Sequence, residues 1–600
     1  MSIGLVLLVG LLAVAYDRSE FLFLDEIEIG MTGIGKTIVE DDTISEFAVE
    51  VIGIIDRNGD LGDFIAIRVS GAAIGRAGGV AQGMSGSPVY IDGKLIGALS
   101  RAGGWSKDLT PIALVTPIEP MLAVLDDAAS AFAEPNEAAV LKDLAFVELD
   151  SPPSSELLAV LPDALFSYPV TTPLVAHGMS ERAREVLMDG FQRPETDLLL
   201  IDDVLSVPFG PGAVGLSSLG LSLLPASGEG LGGSIDPETL EPGSSIGAAF
   251  AVGDMTIGSL GTLTYRDGDA LIGYGHRFVN NGPSSFAMTT VSIIDTMKSF
   301  EASYKFGTLA DTIGTVLEDR YAAIGGRMDV PFDGIDLTLD VVDLDSPRES
   351  AYAVELVDEP RMMSELLLST GFDAIDRTLD RIGQGTVTVT YVVDGEGMPK
   401  PLARRDTFMS AIDIAVYPPL QLAAIVGSLQ YNAFADPEIT SIAATIEITD
   451  KIQGIWINNL QIDRLTYAAG DTIRFRVSLQ TFQGEAFIRE GEIRIPQELL
   501  TERIELRAYG GPRYLESGET PDVFESLSDL IDAIAGFPSY ETLTVELFAV
   551  DPFSVKSDAL VGITEIEFDF PGFVLYGERE AFAIILPPSN AVTEDEETDW

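Results

Sequence analysis

The chain has 600 residues, with 94 acidic against 36 basic side chains, and a length of this kind calls for several cores rather than one. It contains no cysteine and two histidines, which excludes disulfides and thiol chemistry and argues against a structural zinc site. A net charge of −58 argues against nucleic acid and anionic membrane surfaces as partners, and its even spread along the chain fits a saline medium that screens self-repulsion, plain solubility or weak calcium binding being the alternatives.

In chain order, residues 2–15 form a short apolar run ending Ala13-Val14-Ala15. It reads as a signal peptide with a small-x-small cleavage site, an uncleaved N-terminal anchor being the alternative. Either reading makes the chain exported: periplasmic, in the cell envelope or extracellular. No later segment has the pattern of a membrane span. Residues 20–115 read as strands. Phe64 to Val69 alternates, and Asp92-Gly93 marks a tight hairpin between Val89 and Gly97. Pro117 to Ala133 reads as a helix that Pro135 ends.

Residues 135–243 read as an insertion, with a capped helix over 181–191 and a Gly/Pro/Ser-rich linker from Ser227 to Gly243. Short strands resume over 244–345, with one helix predicted at Ile293–Tyr304. Residues 346–435 read as a small α/β domain with a helix at Met362–Leu379. Residues 440–590 keep strand period, as in Thr472 to Leu479, and predict an immunoglobulin-like β-sandwich interrupted by a helix near Val523–Ile534. Residues 591–600 are an acidic tail.

The most informative stretch is Gly83-Met84-Ser85-Gly86-Ser87-Pro88. Small residues around a serine let the backbone turn sharply, expose Oγ and converge two N–H groups, as acyl transfer requires. His276, one of two histidines, lies in Gly273-Tyr274-Gly275-His276-Arg277-Phe278, where glycines suit the close approach of a substrate backbone. His177 precedes the helix start at Ser180 and reads as structural.

The run from Gly78 to Pro88, continued by Asp92 to Ala98, closely resembles the serine-peptidase domain of the stage IV sporulation protein B family. Supporting blocks are Gly30–Thr37 with Phe47–Gly53, Gly261–Tyr265 running on to His276, and Ile313–Val316. The resemblance implies a trypsin-like double β-barrel with Ser85 as nucleophile, His276 as base and the N–H groups of Gly83 and Ser85 as oxyanion hole. The order of the serine and histidine segments is reversed relative to the family, so the chain resembles a circular permutant, and it lacks the family's PDZ module. The family's catalytic aspartate falls on Ser70. A serine accepts a hydrogen bond but gives an imidazolium no counter-charge; Asp63 is the alternative orienter.

Two other motifs read as chemistry without the surroundings it needs. Gly30-Met31-Thr32-Gly33-Ile34-Gly35-Lys36-Thr37 matches the P-loop pattern literally, but a β-like, acidic stretch follows where a helix belongs, so it reads as a glycine-shaped turn. Asp56-Arg57-Asn58-Gly59-Asp60 begins a calcium loop that fails at Leu61 and Ile67, and reads as a hairpin turn.

The expectation is a mainly β chain: a serine-peptidase-like domain over 20–345, the α/β domain and the sandwich. It acts as an exported serine endopeptidase on a protein or peptide substrate, without cofactor or metal. The alternatives are a catalytically inactive binding or envelope protein of the same fold and, more remotely, a P-loop NTPase.

Overall fold

The computed structural model describes residues 19–55, 62–105, 108–125, 145–148, 164–169, 174–192, 234–299, 303–499, 503–511, 524–550 and 560–586. The N-terminal apolar run, the calcium-like turn, residues 227–233 of the linker and the acidic tail lie outside them. The fold is mainly β. Among the described residues no helix is long and apolar enough to cross a membrane.

Apolar residues build the first six strands: β1 (Thr32–Ile38), β2 (Ile44–Ile55), whose burial alternates, β3 (Phe64–Ser70), buried on both faces, β4 (Pro88–Ile91), β5 (Lys94–Trp105) and β6 (Asp108–Pro117). They run in the order β4-β1-β2-β3-β6-β5, and β5 pairs back onto β4, so the sheet closes into a barrel. Val49, Val51, Ile65, Ile67, Val69 and Val115 fill it. The predicted hairpin is present, with Asp92 and Gly93 both at positive φ (50° and 80°), the signature of a type I′ turn. Helix α1 (Ala72–Ala77) links β3 to the Ser85 loop, and α2 (Ile118–Leu125) follows β6.

Strands β7 (Ala145–Glu148) and β8 (Ala164–Pro169) extend the first sheet beyond β5. Strand β9 (Leu174–His177) joins a second sheet. Helix α3 (Glu181–Gln192) starts where predicted, with Ser180 Oγ accepting from Ala183 N–H at 3.1 Å.

The second sheet contains β10 (Ser245–Gly253), β11 (Thr256–Asp267), β12 (Ala270–Gly273), β13 (Gly282–Met297), β14 (Tyr304–Arg320) and β15 (Ala323–Arg327). These pair as β10-β13-β14-β15-β12-β11, and β10 pairs with β11, which closes a second six-stranded ring. The helix expected at Ile293–Tyr304 is absent. Ile293 to Met297 is the end of β13, and Tyr304 opens β14, with Met297 facing Tyr304 across the ladder. Bulges at Thr289 and Ile293 interrupt the alternation, which is why the run does not read as a strand. Leu95 and Ala98 of the first barrel, Ile118 and Met121 of α2, and Ile272 and Ala323 of the second barrel form one buried cluster across the seam. Burying a leucine or isoleucine there stabilises the seam by roughly 1.5–3 kcal/mol.

The second sheet continues through β17 (Glu349–Leu356) and its neighbour β16 (Ile335–Asp343) to β20 (Glu438–Thr449), β18 (Gly385–Glu396) and β19 (Leu402–Ser410). Helices α4 (Pro360–Leu379) and α5 (Tyr417–Gln430) pack together against this part. Strand β20 lies parallel to β16, so pairing carries this unit to residue 449. Beyond it, a four-stranded and a five-stranded sheet share one core built on residues such as Phe475, Val477, Leu506 and Val545. Helix α6 (Leu527–Gly536) is capped by Ser526.

Several exposed arginines pair with carboxylates, for example Arg474 with Glu492 at 2.8 Å. Thirty-six basic residues cannot neutralise 94 acidic ones. Screening shortens the reach of the remaining repulsion from about 30 Å at 0.01 M salt to about 3 Å at 1 M. The melting temperature is therefore expected to rise with sodium chloride, mostly at low salt. Melting curves with chelator present check this; a flat or falling series would mean that the surplus charge is already compensated.

Candidate functional site

The Ser85 loop lies between the two barrels. Gly83 and Gly86 have φ of 86° and 91°, a region that only glycine enters freely. Space demands glycine too: a Cβ on Gly86 would lie 1.9 Å from Thr262 O. Backbone carbonyls along the loop are anchored one by one. Gln82 O accepts from Lys305 N–H at 2.9 Å, and Met84 O accepts from Ser87 N–H at 3.0 Å and Ser87 Oγ at 2.6 Å. In a trans peptide the N–H points opposite to its C=O. The N–H groups of Gly83 and Ser85 therefore point away from those anchors, and neither finds a partner among the described residues. Met84, Gly86 and Ser87 N–H are all bonded, to Ala81 O, Leu99 O and Met84 O. Ser85 is buried, and its Oγ has no hydrogen-bond partner among the described residues.

The second barrel supplies the floor. Thr262 on β11 donates N–H to Ser85 O at 2.8 Å and Oγ1–H to Gly83 O at 3.0 Å, and Thr264 Oγ1 donates to Gly86 O at 2.7 Å. The hairpin partner of β11, strand β12, runs on into the His276 turn. Tyr274 N–H donates to Thr262 O at 3.2 Å, and Gly275 packs on Leu99 and Ala98 of β5. Thr116 Oγ1 donates to Gly275 O at 2.6 Å. The serine loop and the histidine turn thus share β11 and the β5–β6 ladder.

His276 is half-buried. Its Nδ1 lies 2.6 Å from Arg277 O. A carbonyl oxygen only accepts, so Nδ1 carries the proton and Nε2 of the neutral ring keeps a lone pair, as a proton acceptor requires. Tyr274 sets the approach to this turn at φ 70°, an unusual value for a non-glycine residue. It is buried, and its hydroxyl is held by Ser259 Oγ at 2.8 Å and Ala248 N–H at 3.0 Å.

Ser70 is exposed at the end of β3, opposite Ala48. The ladder row that runs through Leu99 and Val115 reaches β3 at Ile65, so residues 65 and 70 are separated by about 17 Å of strand. Asp63 is half-buried at the other end of β3, the end nearer the Thr116–Gly275 contact. His177 ends β9, and its Nε2 lies 3.4 Å from Leu309 N.

Two charged residues of the site are missed by sequence reading. Asp319, near the end of β14, has no exposed surface and gathers the backbone beyond His276: its carboxylate accepts from Phe278 N–H at 2.7 Å, Val279 N–H at 2.8 Å and Asn281 N–H at 3.1 Å. Burial pushes its carboxyl up from the ordinary range, while these backbone N–H groups pull it back. Lys305 is the other, fully buried beside Gly83. Neither stands in a motif; an acid within Leu317-Glu318-Asp319-Arg320 is unremarkable in so acidic a chain.

The P-loop-like stretch is not the glycine-shaped turn expected. Residues 32–38 are strand β1, paired with β2 on one side and β4 on the other, and no helix follows. Its glycines make room: a Cβ on Gly33 would sit 1.9 Å from Tyr90 O. Among the described residues no group of three or more His, Cys, Asp or Glu side chains is placed to hold a metal.

Residues 15–102 match the SpoIVB peptidase S55 family. The match covers β1 to most of β5 with the Ser85 loop and stops before the second barrel. It supports a serine peptidase at the level of the family. No curated protein matches the chain.

Proposed function

We propose that this chain is an exported serine endopeptidase acting on a protein or peptide substrate, with Ser85 as nucleophile and His276 as base. The observation that carries the reading is the pair of unpartnered N–H groups on Gly83 and Ser85, held by anchored carbonyls beside an unbonded serine hydroxyl. Ser85 Oγ attacks the scissile carbonyl carbon as its proton passes to His276 Nε2. The C=O π pair moves onto oxygen, where the two N–H groups receive it. Collapse breaks the C–N bond, the amine leaves with the proton from His276, and water then hydrolyses the acyl ester by the same steps. The Arg277 carbonyl takes the part of the orienting group, fixing the tautomer without adding a negative charge.

A permuted order of the two barrels and the absence of a PDZ module belong to the same proposal, as does export. A second reading, a silent peptidase-like binding protein, draws on two observations: Ser85 is fully buried, and a serine occupies position 70. A fluorophosphonate probe separates them, since it acylates only an activated, reachable serine; failure to label would sink the enzyme reading. Ser70→Asp tests the family's third position. Residue 70 is exposed and far along β3 from the row that meets the histidine turn, so the labelling rate should stay within about twofold. A rise of about tenfold or more would return the orienting role to that position.

A further inference from the structure

We propose that Lys305 is a positioning residue of the Ser85 site, its ammonium bracing the oxyanion peptide through Thr262 and lending positive charge to the Gly83 side of the loop. The proposal rests on the serine-peptidase reading above.

Lys305 lies at the start of β14, opposite Thr296 on β13, and has no exposed surface. It touches the loop in three ways. Its backbone N–H donates to Gln82 O at 2.9 Å, which turns Gly83 N–H outward. Its stem fills the space beside Gly83, where a glycine Cβ would lie 3.1 Å from Lys305 Cβ and 3.2 Å from Cδ. Its Nζ donates to Thr262 Oγ1 at 2.9 Å, and that hydroxyl donates to Gly83 O at 3.0 Å. Such a chain polarises each bond along it. One residue therefore holds the carbonyl before Gly83 and, through Thr262, the carbonyl after it.

A buried ammonium is costly, and natural cores pair it. Here the partners are hydroxyls: Thr262 Oγ1 and, at 3.5 Å, Ser245 Oγ. Among the described residues, Lys305 bonds Ser245 of β10, Thr262 of β11 and Gln82, faces Thr296 of β13 and packs beside Gly83, and none of these carries a charge. Asp295, next along β13, turns instead to Arg76 at 2.7 Å. Although the chain has 94 acidic residues, no carboxylate among the described residues pairs with this cation. Its field is therefore not cancelled beside the place where an oxyanion would form.

Burial alone lowers the lysine from 10.5 to about 7. The sign follows. Below about pH 7 the folded protein holds the buried charge, and the oxyanion is supported; as pH rises through 7 the proton leaves and the support is lost. In the unfolded chain the lysine stays charged up to its ordinary value, so the fold bears the burial cost most fully at and below pH 7.

The test is the rate of fluorophosphonate labelling of the full chain, wild type against Lys305→Met, from about pH 6 to about pH 9, with melting curves alongside. Methionine keeps the stem and removes the charge. We expect K305M to melt at the same or a higher temperature and to label roughly 10- to 100-fold more slowly near pH 6, somewhat less than the 10²–10³ lost with a whole oxyanion donor. The ratio of wild-type to variant rates should then fall as pH rises past 7. Equal rates at every pH, or a ratio that does not change with pH, would overturn the proposal. If K305M does not fold, Thr262→Val, which removes the hydroxyl between Nζ and Gly83, is read in the same way; equal labelling overturns the proposal there too. Ser85→Ala is the control. A wild type that labels no faster than this control ends the serine reading and the Lys305 proposal with it, whereas a labelled wild type matched by K305M ends the Lys305 proposal alone.

Discussion

Replacing Ser85 by alanine should abolish fluorophosphonate labelling and peptide cleavage while leaving the protein folded. Loss of a nucleophilic serine costs about 10⁶ in turnover in subtilisin, and the same chemistry is expected here. The fold should tolerate the change because Ser85 Oγ makes no hydrogen bond among the described residues and is buried. Removing a desolvated, unpaired hydroxyl costs little and can stabilise by up to about 1 kcal/mol. Labelling and a melting curve on the same preparation give both answers. Undiminished labelling would move the nucleophile elsewhere. Ser87 would be a poor replacement, because its Oγ is held by Met84 O at 2.6 Å.

Asp319→Ala has the second large effect, on stability and activity together. The carboxylate is the acceptor for the N–H groups of Phe278, Val279 and Asn281. Without it, buried donors lose their partner at about 1–3 kcal/mol each, so a loss of at least about 3 kcal/mol is expected. The turn that carries His276 would relax with them, and labelling should fall roughly 100-fold even well below the melting transition. Asp319→Asn keeps one acceptor oxygen and should lie between the two. Urea melts together with labelling rates check this; an alanine variant with wild-type values in both would show that the turn is fixed by Tyr274 and the β11–β12 hairpin alone.

How much of this was legible in the sequence depends on whether the cause was local. The Asp92-Gly93 hairpin, the strand at Phe64–Val69 and the Ser180 cap are decided by neighbours within a few residues, and each appears where read, although that strand is buried on both faces rather than alternating. The Ser85 loop was legible because its glycines are required by backbone conformation and close contact, which composition reports directly. The Ile293–Tyr304 segment was misread because bulges broke the period that marks a strand. The P-loop-like stretch failed for a related reason: its glycines answer to Tyr90 and Phe47 on neighbouring strands rather than to a turn. Lys305 and Asp319 could not be found at all. Each is meaningful only because a strand of the second barrel brings it to a loop or turn outside its own strand.

The shared floor on β11 also fixes an order of events during synthesis. A ribosome delivers the Ser85 loop early, with the first barrel. The residues that hold the loop's carbonyls, Thr262, Thr264 and Lys305, are added only much later. Until they arrive, Gly83 O and Ser85 O lack their donors, and the turn with His276 does not yet exist. The half-made chain thus carries the Ser85 loop without the residues that hold its carbonyls. On the serine-peptidase reading, a chain that stops before the second barrel should therefore not react with a fluorophosphonate.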